Sequence, residues 1–196
     1  MQSPQRICVF CGSNAGLRPA YVLAAQQLGS LLAQKGLTLV YGGGRIGLMG
    51  KLADAVLDAG GEAIGVIPLA LVQRELAHHG LTDLRIVDSM HERKALMAEL
   101  SDAFIAMPGG YGTLDEFCEI LTWVQLGLQR KPCGVLNVNG YFDALLRFFD
   151  HAVQERFIHP AHREMLAIAQ DSSVLLEKLL SSDVPAVDKI LAKLEA

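Results

Sequence analysis

Residues 37–68, LTLVYGGGRIGLMGKLADAVLDAGGEAIGVIP, contain one complete unit of the predicted fold. LTLVY is an apolar run of strand length, and GGGRIG is a glycine-rich loop. Leu48–Ala59 has the apolar spacing of a helix, which ends at Gly60 and Gly61. EAIGVIP is a second apolar run. Strand, loop, helix and strand in this order predict two parallel strands joined by a covering helix.

The same alternation continues along the rest of the chain. Further strands are predicted at Arg6–Cys11, residues 84–88, residues 103–108, residues 133–138 and Met165–Ala169. Helices are predicted at Tyr21–Lys35, Ser89–Leu100, Thr113–Leu128 and Tyr141–Glu155, and from Ser172 to a break near Pro185. Residues 1–196 are therefore predicted to form one α/β domain, with helices on both faces of a parallel sheet.

Four loops are predicted at the carboxyl ends of the strands, the edge of a parallel sheet where ligands bind. They are Gly12–Gly16, Gly42–Gly47, Pro68–Gly80 and Gly109–Thr113. The second and fourth are glycine-rich and lead from a strand into a helix, so their backbone N–H groups can face an anion. A tight turn alone would also require glycine, but two such loops on one sheet edge favour anion binding.

The glycines of the second loop also fit the pattern G-x-G-x-x-G, at Gly42, Gly44 and Gly47. This pattern is typical of dinucleotide-binding sites, in which an acidic residue at the end of the next strand binds the ribose hydroxyls. Glu62 has about the right spacing, but it lies at the start of the next predicted strand, and that strand ends in VIP. The sequence therefore disfavours a dinucleotide site.

The composition excludes several classes of protein. Of the 196 residues, 51 % are hydrophobic and 19 % are charged, and the formal net charge is −4. The negative charge argues against a general nucleic-acid binder, and the sequence contains no apolar run long enough to predict a membrane span. MQSPQRICVF lacks the long apolar segment of a signal peptide, which predicts a cytoplasmic protein. The high apolar content predicts an oligomer, with apolar surface buried between subunits.

The cysteines Cys8 and Cys11 form a C-x-x-C pattern, which occurs in redox and zinc sites. In a strand, however, residues three apart point to opposite faces. Only Cys118 and Cys133 remain, and they do not form a second C-x-x-C. The four cysteines are therefore predicted to be core thiols.

The most chemically informative stretch is Met107–Glu116, MPGGYGTLDE. Thr113 and Glu116 fit the capping box T-x-x-E at the start of a helix, and the same geometry places a carboxylate close to a candidate phosphate-binding loop. A second capping box, Ser89–Glu92, begins the helix that carries Arg93 and Lys94. Two basic residues near a helix N-terminus are disfavoured by the helix dipole, which points to a functional role.

The segments CVFCGS, VYGGGRIGLMG, SMHERKALM and MPGGYGTLDEFCEILTW closely resemble the LONELY GUY family. Its members are cytokinin riboside 5′-monophosphate phosphoribohydrolases, and the family was long labelled as lysine decarboxylases. The resemblance extends from Arg6 to about Ile158. It implies a Rossmann-like fold, a homodimer, and an enzyme that releases the base and ribose 5-phosphate from a nucleotide, with AMP as a further substrate.

The resemblance also implies roles for individual residues, and it implies neither a metal nor a cofactor. Arg93 and Glu116 match the catalytic residues of the family. The substrate contacts carry over to Glu75, Arg93, Lys94, Gly109, Gly110, Tyr111, Gly112, Thr113, Leu114, Asp115, Glu116 and Thr122. Ser13, Gly43 and Gly44 are further candidate contacts to the phosphate or the nucleotide.

The chemistry of these residue types agrees with such a reaction. Cleavage of a ribosyl C–N bond builds positive charge on the sugar, which a carboxylate at Glu116 can stabilise while it activates water. Arg93 stays protonated, so it can orient Glu116 or balance negative charge. Two alternatives remain at this stage. One is a non-catalytic nucleotide- or cofactor-binding protein, and the other is a pyridoxal-dependent lysine decarboxylase, for which only Lys94 is a candidate Schiff-base residue.

Overall fold

The computed structural model describes residues 5–74 and 76–182, and these residues contain one seven-stranded parallel sheet. The strands are β1 Arg6–Phe10, β2 Thr38–Tyr41, β3 Ala63–Pro68, β4 Asp83–Val87, β5 Ala103–Ala106, β6 Cys133–Leu136 and β7 Leu166–Ala169. Their spatial order is β4-β3-β2-β1-β5-β6-β7, and every pairing is parallel. The predicted α/β class and the seven predicted strands are confirmed.

Helices connect successive strands, as is usual for the long crossovers between parallel strands. They are α1 Pro19–Gln34, α2 Gly47–Asp58, α3 Leu69–Val72, α4 Met90–Leu100, α5 Tyr111–Gln125, α6 Asp143–Gln154, α7 Pro160–Glu164 and α8 Ser172–Leu180, with a 3₁₀ turn at Val138–Gly140. Two short helices, α3 and α7, were not predicted, because four or five residues are too few to show a helical repeat. The predicted break near Pro185 lies outside the described residues.

Two hydrophobic cores lie on opposite faces of the sheet. One contains the apolar faces of α1, α2 and α8, and the other contains those of α4, α5 and α6. Strand β1 contributes to both in strict alternation. Cys8 belongs to one core and Cys11, three residues later, to the other. All four cysteines are free, and only Cys118 is partly exposed, so the prediction of core thiols holds for the other three.

Helix α5 begins earlier than its sequence predicts. Gly110 is its N-cap residue and Tyr111 its first helical residue, so Thr113 lies within the first turn. No side chain caps this helix, and the predicted capping box between Thr113 and Glu116 is therefore wrong. Glycine has little preference for one backbone conformation, so the local pattern could not show that Gly112 is already helical.

The order of the strands creates the crevice in which a ligand can bind. After β4 the chain crosses back over the sheet and places β5 on the other side of β1, so β1 and β5 flank the point where the strand order reverses. In parallel sheets this switch point opens a crevice at the carboxyl ends of the strands. Among the described helices, none combines the length and the apolarity needed to cross a membrane.

Candidate functional site

A cavity of about 540 Å³ lies at this switch point. The loops that follow β1, β2 and β5 form most of its wall, as expected from the position of their glycines. Polar groups line one part, and apolar side chains from the segments around α2 and α3 line another. Its apolar lining includes Ile46, Leu48, Met49, Ile67, Leu71 and Leu76.

The side chains of Arg93 and Glu116 meet at the wall of this cavity. Arg93 comes from α4 and Glu116 from α5, and Arg93 Nη1 lies 3.1 Å from Glu116 Oε1. The two side chains are only 9 % and 11 % exposed. Charged residues are rarely buried to this extent unless they are paired, so each of the two residues accounts for the burial of the other.

Backbone carbonyls fix the guanidinium of Arg93 in place. Its Nε donates to the carbonyl of Val66 in β3 at 3.0 Å, and its Nη2 donates to the carbonyl of Gly42, just after β2, at 3.1 Å. A side chain at position 42 would collide with Nη2 of Arg93. The first glycine of the G-x-G-x-x-G pattern therefore makes room for an arginine from another helix.

The position of Arg93 along α4 is set by the predicted capping box. The Ser89 hydroxyl accepts a hydrogen bond from the Glu92 N–H at 3.1 Å, which confirms Ser89 as the N-cap. The Glu92 carboxylate accepts from the N–H of Asp88 at 2.8 Å, one residue before the cap. The side chains of Ser89 and Glu92 thus fix the start of α4, and Arg93 follows one turn after the N-cap.

Burial changes the acidity of Glu116. Removal from water raises the pKa of the Glu116 carboxyl above its ordinary value, and the guanidinium of Arg93 offsets part of this rise. Glu116 therefore takes up a proton at a higher pH than a solvent-exposed glutamate. A carboxyl group with a raised pKa in a cavity is well suited to acid–base chemistry.

The N-terminus of α5 offers unpaired donors to the cavity. The N–H groups of the first helical residues have no acceptor within a helix, and those of Tyr111, Gly112 and Thr113 bind no other described residue. The hydroxyl of Thr113 is buried and also has no hydrogen-bond partner among the described residues. Free donors of this kind can hold an anion, which is the role predicted for this loop.

The N-terminus of α2 is arranged differently. The N–H groups of Leu48 and Met49 donate to the carbonyl of Gly12 at 3.0 and 3.4 Å. Gly47 has a positive φ of 63°, and a side chain there would collide with the backbone of Ser13. The glycines of this loop therefore let α2 pack against the loop after β1. Two of the first three N–H groups of α2 are therefore unavailable to an anion, whereas all three at the start of α5 are free of partners among the described residues.

Lys94 does not line the cavity. Its ammonium group lies 3.2 Å from Asp115 and 3.1 Å from Glu119, so it joins α4 to α5 on the outer side of the Arg93–Glu116 pair. Burial by itself would lower the pKa of Lys94, but the hydrogen bonds and charges of Glu119 and Asp115 raise it overall. The amine is thus held in its protonated form.

The structure brings together most of the candidate residues from the sequence, but not all of them. Those that line the cavity are Ser13, Gly44, Arg93, Gly109, Gly110, Tyr111, Gly112, Thr113 and Glu116. Those that do not are Gly43, Lys94, Leu114, Asp115 and Thr122. Thr122 lies about three turns along α5, donates to the carbonyl of Cys118 and lines a separate cavity of about 160 Å³. Glu75 lies outside the described residues.

Sequence reasoning assigned no role to two tyrosines that line the cavity, Tyr21 and Tyr141. Tyr21 lies in the first turn of α1 and Tyr141 directly follows the 3₁₀ turn after β6. Neither belongs to a recognisable motif, and only the strand order brings them to the same crevice. The one usable signal was that Tyr141 follows a predicted strand at the ligand-binding edge.

Comparison with known proteins supports the resemblance seen in the sequence. A cytokinin riboside 5′-monophosphate phosphoribohydrolase from Arabidopsis thaliana is 50 % identical over 190 residues, which is 97 % of this chain and 88 % of that protein. A second one from the same plant is 48 % identical over 190 residues, 97 % of this chain and 87 % of the relative. The chain belongs to the LONELY GUY family. A family model described as "Possible lysine decarboxylase" matches residues 49–179 of this LONELY GUY chain.

Solved structures with lower identity share the fold of this LONELY GUY protein. The molybdenum cofactor binding protein from Rippkaea orientalis has a TM-score of 0.68 and 25 % identity, over 90 % of this chain and 95 % of the other. The molybdenum cofactor carrier protein from Chlamydomonas reinhardtii has a TM-score of 0.69 and 21 % identity, over 97 % and 99 % of the two chains. The predicted Rossmann-like architecture is thereby confirmed.

Proposed function

We propose that this protein hydrolyses the N-glycosidic bond of cytokinin riboside 5′-monophosphate. Water adds to C1′ of the ribose, the bond from C1′ to the base nitrogen breaks, and the base leaves with a proton; the products are the free base and ribose 5-phosphate. The observation that carries this proposal is the buried Arg93–Glu116 pair beside the free N–H groups of α5. Relatives that are about 50 % identical over nearly the whole chain have the same named activity.

The catalytic roles follow from a difference in the contacts that fix the two side chains. Arg93 is tied to two backbone carbonyls, whereas Glu116 has Arg93 as its only ion-pair partner among the described residues. Glu116 is therefore the residue assigned to the reacting sugar. Its carboxylate stabilises the positive charge that develops at C1′ and accepts a proton from the attacking water. Arg93 orients that carboxylate and keeps it ionised.

The 5′-phosphate belongs at the start of α5. Three free N–H groups and the Thr113 hydroxyl are available to an anion there, and the positive end of the helix dipole adds to the attraction. This site lies one to two helical turns from Glu116, as a nucleotide needs if its sugar is to reach the carboxylate. The phosphate contact then aligns the sugar for reaction.

The base belongs against the apolar part of the cavity. Met49, Ile67, Leu71 and Leu76 line this part, and a purine with an apolar N6 substituent would bury its surface there. Adenine has a smaller apolar surface, so AMP is a second and poorer substrate under this proposal. The substrate contacts predicted for Ser13 and Gly44 lie on the same wall as the sugar and the phosphate.

Lysine decarboxylation, the activity in the family model's description, does not fit this site. A Schiff-base lysine must lose its proton, yet the pKa of Lys94 is raised by its two carboxylate partners. Lys94 is also engaged with Asp115 and Glu119 outside the cavity wall. The residues present therefore do not suit pyridoxal phosphate.

A cofactor-binding protein without catalysis is the second candidate. It is favoured by the fold shared with the molybdenum cofactor binding protein from Rippkaea orientalis at 25 % identity. A carrier has no need of a buried carboxylate with a raised pKa beside its anion site. The two functions differ in whether a bound nucleotide is cleaved.

We further propose that the protein is a cytoplasmic homodimer that binds neither nucleic acid nor membrane. Large apolar side chains remain exposed after α5 and on α6, including Leu126 at 61 %, Leu128 at 71 % and Phe148 at 61 %. A dimer would also explain the contact implied for Thr122. This residue is exposed and lies outside its own cavity, so it can contact substrate only in a second copy of the chain.

Base release measured by chromatography tests the proposed function. N6-isopentenyladenosine 5′-monophosphate, AMP and the corresponding free nucleosides are compared at equal concentration. The expected result is rapid release of base from the prenylated nucleotide, slower release from AMP and almost none from either nucleoside. Tight binding of the nucleotides without release of base would contradict hydrolysis and favour a carrier.

A further inference from the structure

Tyr141 makes a short hydrogen bond to the loop Gly109–Thr113, which carries the proposed phosphate site. Its hydroxyl donates a 2.6 Å hydrogen bond to the carbonyl of Gly109, the residue before the N-cap of α5. The two residues are far apart in sequence and meet because β5 and β6 are neighbours in the sheet. Neither the resemblance nor the named relatives assign a role to Tyr141.

The ring of Tyr141 is held in one orientation by two aromatic neighbours. It packs edge-on against Tyr21 at a centroid distance of 5.5 Å and against Phe142 at 4.9 Å. Edge-to-face packing of this kind favours a particular ring geometry. The hydroxyl is therefore aimed at the Gly109 carbonyl by its surroundings.

The peptide that Tyr141 binds is one that the chain itself leaves free to rotate. The preceding carbonyl, that of Pro108, is fixed because it accepts from the N–H of Gly12 at 3.0 Å. The next peptide joins Gly109 to Gly110, and glycine on both sides gives it little conformational preference. A trans peptide is planar, so its carbonyl and its N–H point in opposite directions. A bond that fixes the carbonyl of Gly109 therefore also fixes the N–H of Gly110.

We propose that Tyr141 is a positioning residue for substrate binding. Its hydroxyl holds the Gly109–Gly110 peptide in the orientation that brings the Gly110 N–H into line with the free N–H groups of α5. This inference rests on the proposed function, since the anion is the 5′-phosphate of the nucleotide. Tyr141 acts through the loop and takes no part in bond cleavage.

Tyr141→Phe tests the proposal, because it removes the hydroxyl and keeps the ring between Tyr21 and Phe142. The dissociation constant of ribose 5-phosphate is measured by calorimetry, adenine is measured as an inhibitor, and KM and kcat are measured with the prenylated nucleotide. Loss of one hydrogen bond should weaken ribose 5-phosphate binding and raise KM, each by about three- to tenfold. The inhibition constant of adenine and kcat should change by less than about twofold, because ground state and transition state share the phosphate contact.

Ser101→Ala is the matched control. It removes a buried hydroxyl that donates to the carbonyl of Met97 at 2.7 Å, and Ser101 does not line the cavity. This variant should bind ribose 5-phosphate as the parent does. Thermal unfolding of both variants shows whether the fold is retained.

The outcomes separate this inference from the proposed function. The positioning role is wrong if Tyr141→Phe binds ribose 5-phosphate as tightly as the parent. It is also wrong if the variant weakens the binding of adenine as much as that of ribose 5-phosphate. If the parent binds ribose 5-phosphate but releases no base, the proposed hydrolysis is wrong, and the calorimetric comparison still decides the role of Tyr141. If the parent does not bind ribose 5-phosphate at all, both proposals are overturned.

Discussion

Arg93 and Glu116 form an ion pair of 3.1 Å in which only Arg93 is also bonded to the backbone. The guanidinium is bonded to the backbone of β3 and to that of the residue that follows β2. The carboxylate depends on the guanidinium for its orientation. This asymmetry makes Arg93 the fixed element of the site and leaves Glu116 as the group that faces the substrate.

Glu116→Gln should abolish most turnover while preserving the fold. Glutamine cannot accept a proton from water or balance charge on the sugar, so the chemical step should slow by about a hundredfold or more. Its amide oxygen can still accept from Arg93 Nη1, but Arg93 loses its countercharge, so the melting temperature should fall while the protein still folds. Single-turnover base release and calorimetric nucleotide binding are measured on one preparation. A folded variant that binds substrate and reacts at nearly the parent rate would remove Glu116 from the mechanism.

The pH dependence should report the raised pKa of Glu116. The carboxylate form is the active one, so kcat/KM should fall as pH drops through that pKa, above the value of an exposed glutamate. Arg93 lowers the pKa of Glu116. In Arg93→Ala, Glu116 should therefore become protonated at a still higher pH, and the residual activity should fall at that higher pH. The measurement is kcat/KM against pH for both proteins. If the fall of kcat/KM at low pH occurs at the same pH after Arg93 is removed, that fall does not report the protonation of Glu116.

Thr113→Val should weaken phosphate binding without destabilising the protein. The Thr113 hydroxyl is buried without a partner among the described residues, and valine has nearly the same shape. A hydrogen bond to a charged group contributes about 1.5–3 kcal/mol, so affinity for ribose 5-phosphate should fall by at least about tenfold. The melting temperature should stay the same or rise, because an unpaired buried hydroxyl is costly. Unchanged affinity would place the phosphate elsewhere.

The protein should have about twice the mass of its 21.2 kDa chain in solution. Light scattering at micromolar concentration measures this, and Leu128→Glu should shift the mass towards the monomer if the exposed side chains near the end of α5 are buried between subunits. Val174 provides a control, since it is exposed on α8, on the opposite face of the sheet from α5, and Val174→Glu should leave the mass unchanged. A single species with the mass of one chain would contradict the dimer.

The sequence predicted the fold well because most strands are apolar and most are followed by a helix with a clear repeat. Alternation along β1 even placed Cys8 and Cys11 on opposite faces. The failures lie at the starts of helices. Thr113 was assigned to a cap because T-x-x-E is a local pattern, whereas α5 starts at Tyr111 without a side-chain cap.

Long-range contacts were the part of the site that the sequence could not show. The glycines of the second loop are predicted to face an anion, yet the N–H groups of Leu48 and Met49 there donate to the carbonyl of Gly12. Gly42 instead leaves the space that the guanidinium of Arg93 occupies. Tyr141 was missed because its partner, Gly109, is a neighbour only after β5 and β6 pair. Such contacts depend on topology, which residue types and spacing do not encode locally.

The contact between Gly42 and Arg93 implies that these two positions cannot evolve independently. Arg93 occupies the space where a side chain at position 42 would begin, so even Gly42→Ala would push the guanidinium away from its carbonyl and from Glu116. Gly42→Ala would then reduce turnover as the loss of the Arg93 charge does, although glycine itself takes no part in the reaction. Among related sequences, a side chain at position 42 should accompany the loss of arginine at position 93.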